Sequence, residues 1–304
     1  MIWIDTDMGF DDILAVMMIA AEREIAGISL VFGNAPLEEV RRNAAGARAL
    51  LGWRMPVHTG AAQAILGEVI TAVHVHGPTG IPSRGARLPE APLLPPSPAQ
   101  AALCRWLENL EAPGEILALG PLTNLAILAL SRPDLLAKIG GITWMGGGAA
   151  QGNQTPSAEF NAYADPEAVQ IVVNSGVPLA VVDLELCRQV LIGPDDLKPL
   201  EATGTQTGRV LADLCGAYVD IALTRGREKM ALYDPCAAAA LLIPDAFTFA
   251  PGFVTVELAG THTRGRTILD QRPGITPNCQ WAMHADASRV LALALDTMQK
   301  AVLA

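Results

Sequence analysis

Short apolar runs alternate with stretches of helical period along most of the chain. Ile2–Asp5, Ile25–Phe32, Glu115–Leu119, Ile142–Met145 and Leu179–Val182 are nearly unbroken apolar segments of strand length. Residues 10–23, 36–51 and 165–175 lie between or beside them and place apolar side chains three or four positions apart. A short helix follows Gly120-Pro121, and residues 206–225 and 284–302 carry the same helical pattern. Continuous apolar strands separated by helices predict a mostly parallel sheet covered on both faces. The expected fold class is therefore α/β: a single domain over residues 1–304 with a Rossmann-like central sheet flanked by helices. A (β/α)8 barrel is the competing architecture, because both folds carry their functional loops at the C-terminal ends of strands. Residues 77–99 are rich in proline and read as a long surface loop, a kind of segment that is often functional.

Composition narrows the function classes. The 304 residues are 51% hydrophobic and 17% charged, which excludes a disordered chain. Twenty-one Lys and Arg against 31 Asp and Glu give a formal charge of −10, which argues against a general nucleic-acid binder. No segment reaches the roughly 18 apolar residues of a membrane span. The first basic residue is Arg23, and Asp5 and Asp7 interrupt the apolar start, so no secretory signal is read and a cytoplasmic location is expected. Five scattered cysteines without a CxxC spacing predict free thiols.

The densest chemical signal is Asp5-Thr6-Asp7-Met8-Gly9-Phe10-Asp11-Asp12, where a strand ends and a helix begins. One or two of these aspartates would be explained as helix caps. Four within eight residues repel one another unless a cation sits among them, and oxygen ligands select a hard divalent ion. A strand-end Asp-x-Asp also resembles the haloacid dehalogenase phosphatases, a magnesium phosphohydrolase alternative. That family follows the pair with Thr or Val, whereas Met8 stands here, and its late acidic motif is missing.

The whole pattern from Asp5 to Asp12 resembles the signature of the inosine–uridine-type nucleoside hydrolases, which usually have Pro at the position of Met8. Further blocks follow in that family's order: Gly33-Asn34, Arg42-Asn43-Ala44, His76-Gly77-Pro78-Thr79-Gly80, Gly120-Pro121-Leu122-Thr123-Asn124, Met145-Gly146-Gly147-Gly148, Gly152-Asn153, Glu159-Phe160-Asn161, Asp165-Pro166, Tyr233-Asp234-Pro235 and Thr263 to Asp270. The resemblance implies a calcium-dependent hydrolase that splits ribonucleosides into ribose and free base. It implies that Asp7, Asp12, Asp234 and the backbone carbonyl of Thr123 hold Ca2+, which would also bind the attacking water. Asp7 would be the general base. Asp11, Asn34, Asn153, Glu159 and Asn161 would bind the ribose hydroxyls, Met145 would flank the sugar, and His76 would lie near the 5′ hydroxyl or the base. Asp5 would support the site rather than ligate. A homo-oligomer, dimer or tetramer, is also implied.

Taken singly, several of these residues have plainer readings. Glu159 and Asn161 suit local backbone capping, Asn34 and Asn153 suit turns beside glycines, and Asp234 before Pro235 suits a helix start. One position departs from the pattern. The better-known branch of the family has a histidine before the late aspartate, associated with protonating the leaving base, and Tyr233 stands there. Three roles are open to it: the acid, a packing surface for the base, or a bystander to some other activating group. The last two keep alive a third reading, a calcium-bound nucleoside- or ribose-binding protein without turnover. Trp281 is a candidate for stacking on a purine, with core packing as its alternative.

Overall fold

The computed structural model describes residues 1–303. Eleven strands are β1 Ile2–Thr6, β2 Ile25–Leu30, β3 Val57–Thr59, β4 Gly114–Ala118, β5 Ile139–Met145, β6 Leu179–Val182, β7 Leu191–Ile192, β8 Met230–Ala231, β9 Phe247–Val256, β10 Thr267–Asp270 and β11 Cys279–Ala285. The helices are α1 Phe10–Glu22, α2 Leu37–Leu51, α3 Val73–His76, α4 Ala99–Glu108, α5 Thr123–Ser131, α6 Phe160–Ala164, α7 Pro166–Val173, α8 Leu184–Cys187, α9 Lys198–Glu201, α10 Gln206–Leu223, α11 Asp234–Leu242 and α12 Ala287–Leu303.

Nine strands form one open sheet in the order β10-β9-β11-β6-β5-β4-β1-β2-β3, and β7 pairs with β8 in a separate ribbon. From β11 to β3 every neighbour pair is parallel, while β9 near one edge pairs antiparallel with both β11 and β10. The sheet has two free edges, so the barrel alternative does not hold and the expected parallel α/β sheet does.

Alternation along the strands builds two cores. Ile2 and Ile4 of β1, with Leu117 of β4, face a cluster filled by α1, α10, α11 and α12. Trp3, with Ile116 and Ala118, faces the other layer, filled by α4, α5 and α7. Period-two side-chain direction accounts for this division, and strands buried on both faces account for the continuous apolar runs. All five cysteines are free thiols. Among the described residues no helix is long and apolar enough to cross a membrane.

The chain leaves β1 for β2 and β3 on one side, then crosses back to place β4, β5 and β6 on the other. Loops from β1 and β4 therefore part in opposite directions and leave a crevice at the strands' C-terminal ends. Open α/β sheets bind ligands at such a switch point.

Candidate active site

The crevice deepens into a pocket that is open to solvent at its mouth. Its lining includes Asp7, Asp11, Asn34, His76, Met145, Asn153, Glu159, Asn161, Tyr233 and Asp234. Most come from the end of a strand or the start of a helix, while His76 ends a one-turn helix and Asn153 lies in a loop. The first β–α turn supplies Asp7 and Asp11, the segment after β2 supplies Asn34, the end of β5 supplies Met145, and the start of α11 supplies Asp234. Asp12 and Thr123, also expected at the site, are buried and do not line the cavity.

The carboxylates converge. Asp11, Asp12 and Asp234 each offer an oxygen within 4.8 Å of the others. Asp7 joins them through Asn34, whose amide nitrogen lies 3.1 Å from Asp7 Oδ1 and 3.1 Å from Asp12 Oδ2, while its backbone N–H donates to Asp7 Oδ2 at 2.6 Å. Asp12 is also held by the Thr6 hydroxyl and by the Gly9 N–H at 2.8 Å. No ion pair among the described residues involves any of these four aspartates.

Electrostatics follow from burial without a counter-charge. Burial, then the neighbouring Asp12, hold Asp7 well above the usual carboxylate range. Burial, then Asp12 and Asp11, do the same to Asp234. Asp11 is pushed up to about 7 by burial and by Asp12, and Asp12 is raised by burial. Clustered, buried, oxygen-only donors of this kind fit a hard divalent cation, which would remove the penalty.

Other expected residues carry two jobs. Glu159 caps α6, its carboxylate accepting N–H groups of Gly147 (2.8 Å), Asn161 (2.8 Å) and Ala162 (3.0 Å), and burial lifts it to about 7. The Asn161 amide nitrogen donates to the carbonyls of Leu119 (2.9 Å) and Met145 (3.0 Å), which leaves its oxygen for a ligand. Asn153 shows the reverse: its oxygen accepts from Phe160 N–H at 2.8 Å, which leaves its two N–H donors. The plain capping readings and the cavity positions thus coexist. His76 sits at the end of the one-turn α3, not in the long loop itself, and burial followed by the charge of Arg225 lowers it to about 4. Tyr233 is pushed up to about 12, chiefly by burial.

Residues 2–292 match the family described as inosine-uridine preferring nucleoside hydrolase. The chain belongs to that family. It is 35% identical to the pyrimidine-specific ribonucleoside hydrolase RihA of Salmonella gallinarum, covering 97% of each chain. Among solved structures it is similar to a purine-preferring ribonucleoside hydrolase from Gardnerella vaginalis, with TM-score 0.92, 27% identity and coverage of 100% of this chain and 99% of the other. It is also similar to an inosine-guanosine nucleoside hydrolase, with TM-score 0.89, 26% identity and 98% of each chain covered. The match displaces the phosphohydrolase alternative.

In this nucleoside hydrolase the contacts of Asn124 and Tyr218 were not legible from sequence. Asn124 is more than a helix start: its amide donates to Asp5 at 2.7 Å and accepts from Ala61 N–H at 2.8 Å, linking β1 to the segment after β3. Asp5, with Ser29 as a second donor, is fully buried and raised to about 7 by that burial, and it braces the turn that carries Asp7. The Tyr218 hydroxyl lies 3.2 Å from Asp11 and 2.8 Å from the Ala231 carbonyl, although its place on α10 reads only as core. Trp281 takes its core alternative, buried in the second cluster with its indole N–H on Asp183 at 3.0 Å. Met8 is the only described non-glycine residue with positive φ, at 40°, and its N–H rests on the Thr6 hydroxyl at 3.0 Å. A proline could not adopt that φ.

Gly33 is required by space. A Cβ there would sit 2.0 Å from Asp7 Oδ2. Gly33→Ala is expected to displace the Asp7 carboxylate and lower kcat about 10- to 100-fold while the protein still folds, as misplacement of a positioned group does. Circular dichroism with steady-state kinetics checks it; unchanged kcat would show that Asp7 needs no fixed position.

Proposed function

We propose that the protein hydrolyses the N-glycosidic bond of ribonucleosides to ribose and free nucleobase, with a calcium ion held by the aspartate cluster. The observation that carries this reading is the gathering of Asp7, Asp11 and Asp234 in one cavity with Asn153, Asn161 and Glu159. Acidic groups face the sugar where positive charge develops as the bond to the base breaks. Directional amides suit vicinal hydroxyls.

The ligand set proposed is Asp7, Asp12, Asp234 and the Thr123 carbonyl, with Asp11 close enough to join. When bound, calcium supplies charge that offsets the carboxylates, holds sugar hydroxyls and acidifies water. Asp7, ionised in that field, accepts a proton from the attacking water as its oxygen bonds to C1′. Asn161 accepts and Asn153 donates hydrogen bonds to the ribose, and Asp11 accepts from a hydroxyl. Met145 packs its thioether against the sugar, and His76, neutral at physiological pH, offers a hydrogen bond near the 5′ hydroxyl or the base.

A second reading, nucleoside binding without turnover, draws support from Tyr233, whose buried phenol holds its proton too tightly to be an efficient acid at neutral pH. Ribose release from uridine and inosine, measured with and without chelator, separates the two. Chelator-sensitive release supports hydrolysis, and binding without release supports the second reading. Tyr233→Phe is expected to lower kcat less than about tenfold. A loss as large as that of an Asp7 variant would make the phenol the principal proton donor.

A further inference from the structure

Carboxylates and amides supply most of the polar groups of the cavity wall, and Arg225 is the one Lys or Arg among its lining residues. A helix end puts it there. After α10, Gly226 takes the left-handed φ of 73°, its N–H donates to the Leu223 carbonyl at 3.0 Å, and the Arg227 N–H donates to the Ala222 carbonyl at 3.0 Å. This paired closure fixes the direction in which residue 225 leaves the helix. A Cβ added at Gly226 would meet nothing within 4 Å, so the glycine serves the backbone turn and not the space. The guanidinium takes part in no ion pair among the described residues, in a protein with a ten-unit excess of acid. It is near enough to His76 for its charge to oppose protonation of that ring.

We propose that Arg225 is a catalytic residue of the hydrolysis proposed above, donating hydrogen bonds to the nucleobase and stabilising the negative charge the base acquires as the glycosidic bond breaks. The proposal rests on the hydrolase reading. Both electrons of the C1′–N bond pass to the base, and the water oxygen bonds to C1′. The water's proton passes to Asp7 and then to solvent. The base leaves as an anion against Arg225 and takes a proton from water. The balance is one water consumed, one ribose and one neutral base released. A guanidinium suits this role because it supplies charge without titrating, and its planar fork of donors fits adjacent oxygen and nitrogen acceptors of a base. It meets the need left by the absence of a histidine at position 233.

The test is steady-state kinetics of wild type, Arg225→Ala and Arg225→Lys on uridine, inosine and p-nitrophenyl riboside, whose phenolate leaves without help. Arg225→Ala should lower kcat on the nucleosides about 100-fold, the scale of losing one donor to developing negative charge. Turnover of the nitrophenyl substrate should stay within about threefold. Arg225→Lys should fall between, and added guanidinium should restore part of the alanine variant's activity. Equal losses on all three substrates, a change in KM alone, or unchanged nucleoside kcat beside an active wild type would overturn the role and leave the hydrolase reading standing. A wild type that cleaves none of the substrates overturns the hydrolase reading and this role with it.

Discussion

Asp7→Ala is expected to lower kcat for ribose release by about 10³-fold or more, because one change removes the proposed general base and a proposed cation ligand. The effect should exceed that of any other single substitution at the site. Asp7→Asn sharpens the result. The amide oxygen can still accept the N–H of Asn34, which now sits 2.6 Å from the carboxylate, so shape and backbone contact are kept. Burial and Asp12 both penalise the ionised Asp7 side chain, so the asparagine variant should be inactive yet at least as stable as wild type when stripped of metal. Kinetics and thermal melts check the pair. Near-wild-type turnover in either variant would end the assignment of Asp7.

Calcium is expected to raise the melting temperature strongly at neutral pH and weakly near pH 5. Asp5, Asp11 and Glu159 ionise at about 7 in the fold, because burial raises each of them, and at their ordinary values, 3.8, 3.8 and 4.5, when unfolded. Raised carboxyl groups contribute stability that is fully present below the unfolded values and lost as pH rises through the folded ones. The metal-free protein should therefore lose stability from about pH 4 to about 7. Asp270, held down to about 2 by Arg272, works in the opposite sense only below about pH 4, and His76, lowered to about 4, opposes the trend inside the window but as one group against three. Ligating carboxylates must shed their protons, so the ion gains affinity over the same interval. An ion present at about a thousand times its dissociation constant adds about 4 kcal/mol. Melts of chelated protein at pH 5 and 7.5, with calcium or magnesium restored, provide the measurement. A chelated protein more stable at pH 7.5, or indifferent to calcium there, would contradict the argument. A larger gain with magnesium would reassign the ion.

Five strands of the parallel part, β1, β2, β4, β5 and β6, were legible because they are largely buried on both faces and so spell continuous apolar runs, whereas the three-residue β3 at its edge was not read. Their bounds differed by only a few residues; the strand expected at Ile25–Phe32 stops at Leu30, and β5 begins earlier, at Ile139. The antiparallel edge was not legible. Pro251 and Gly252 interrupt β9, a break that reads as a turn and is tolerated only away from a sheet's centre. β11 ends at Ala285, inside the segment whose pattern reads as helix from residue 284. The local acidic cluster was visible because like charges crowd in sequence. Tyr218, Asn124 and Arg225 were invisible because each looks like an ordinary core, capping or surface residue until the fold sets Tyr218 against Asp11, Asn124 against Asp5 and Arg225 in the cavity wall.

Thr267, at the start of β10, accepts the Gly148 N–H at 2.9 Å and lies 3.0 Å from the Gly148 carbonyl. The glycine-rich loop that leads to Asn153 is thus moored to the last third of the polypeptide, on a strand remote from the reaction centre. Damage to that mooring would pass unnoticed in a screen for misfolding and would surface instead as an enzyme with slackened grip on its sugar.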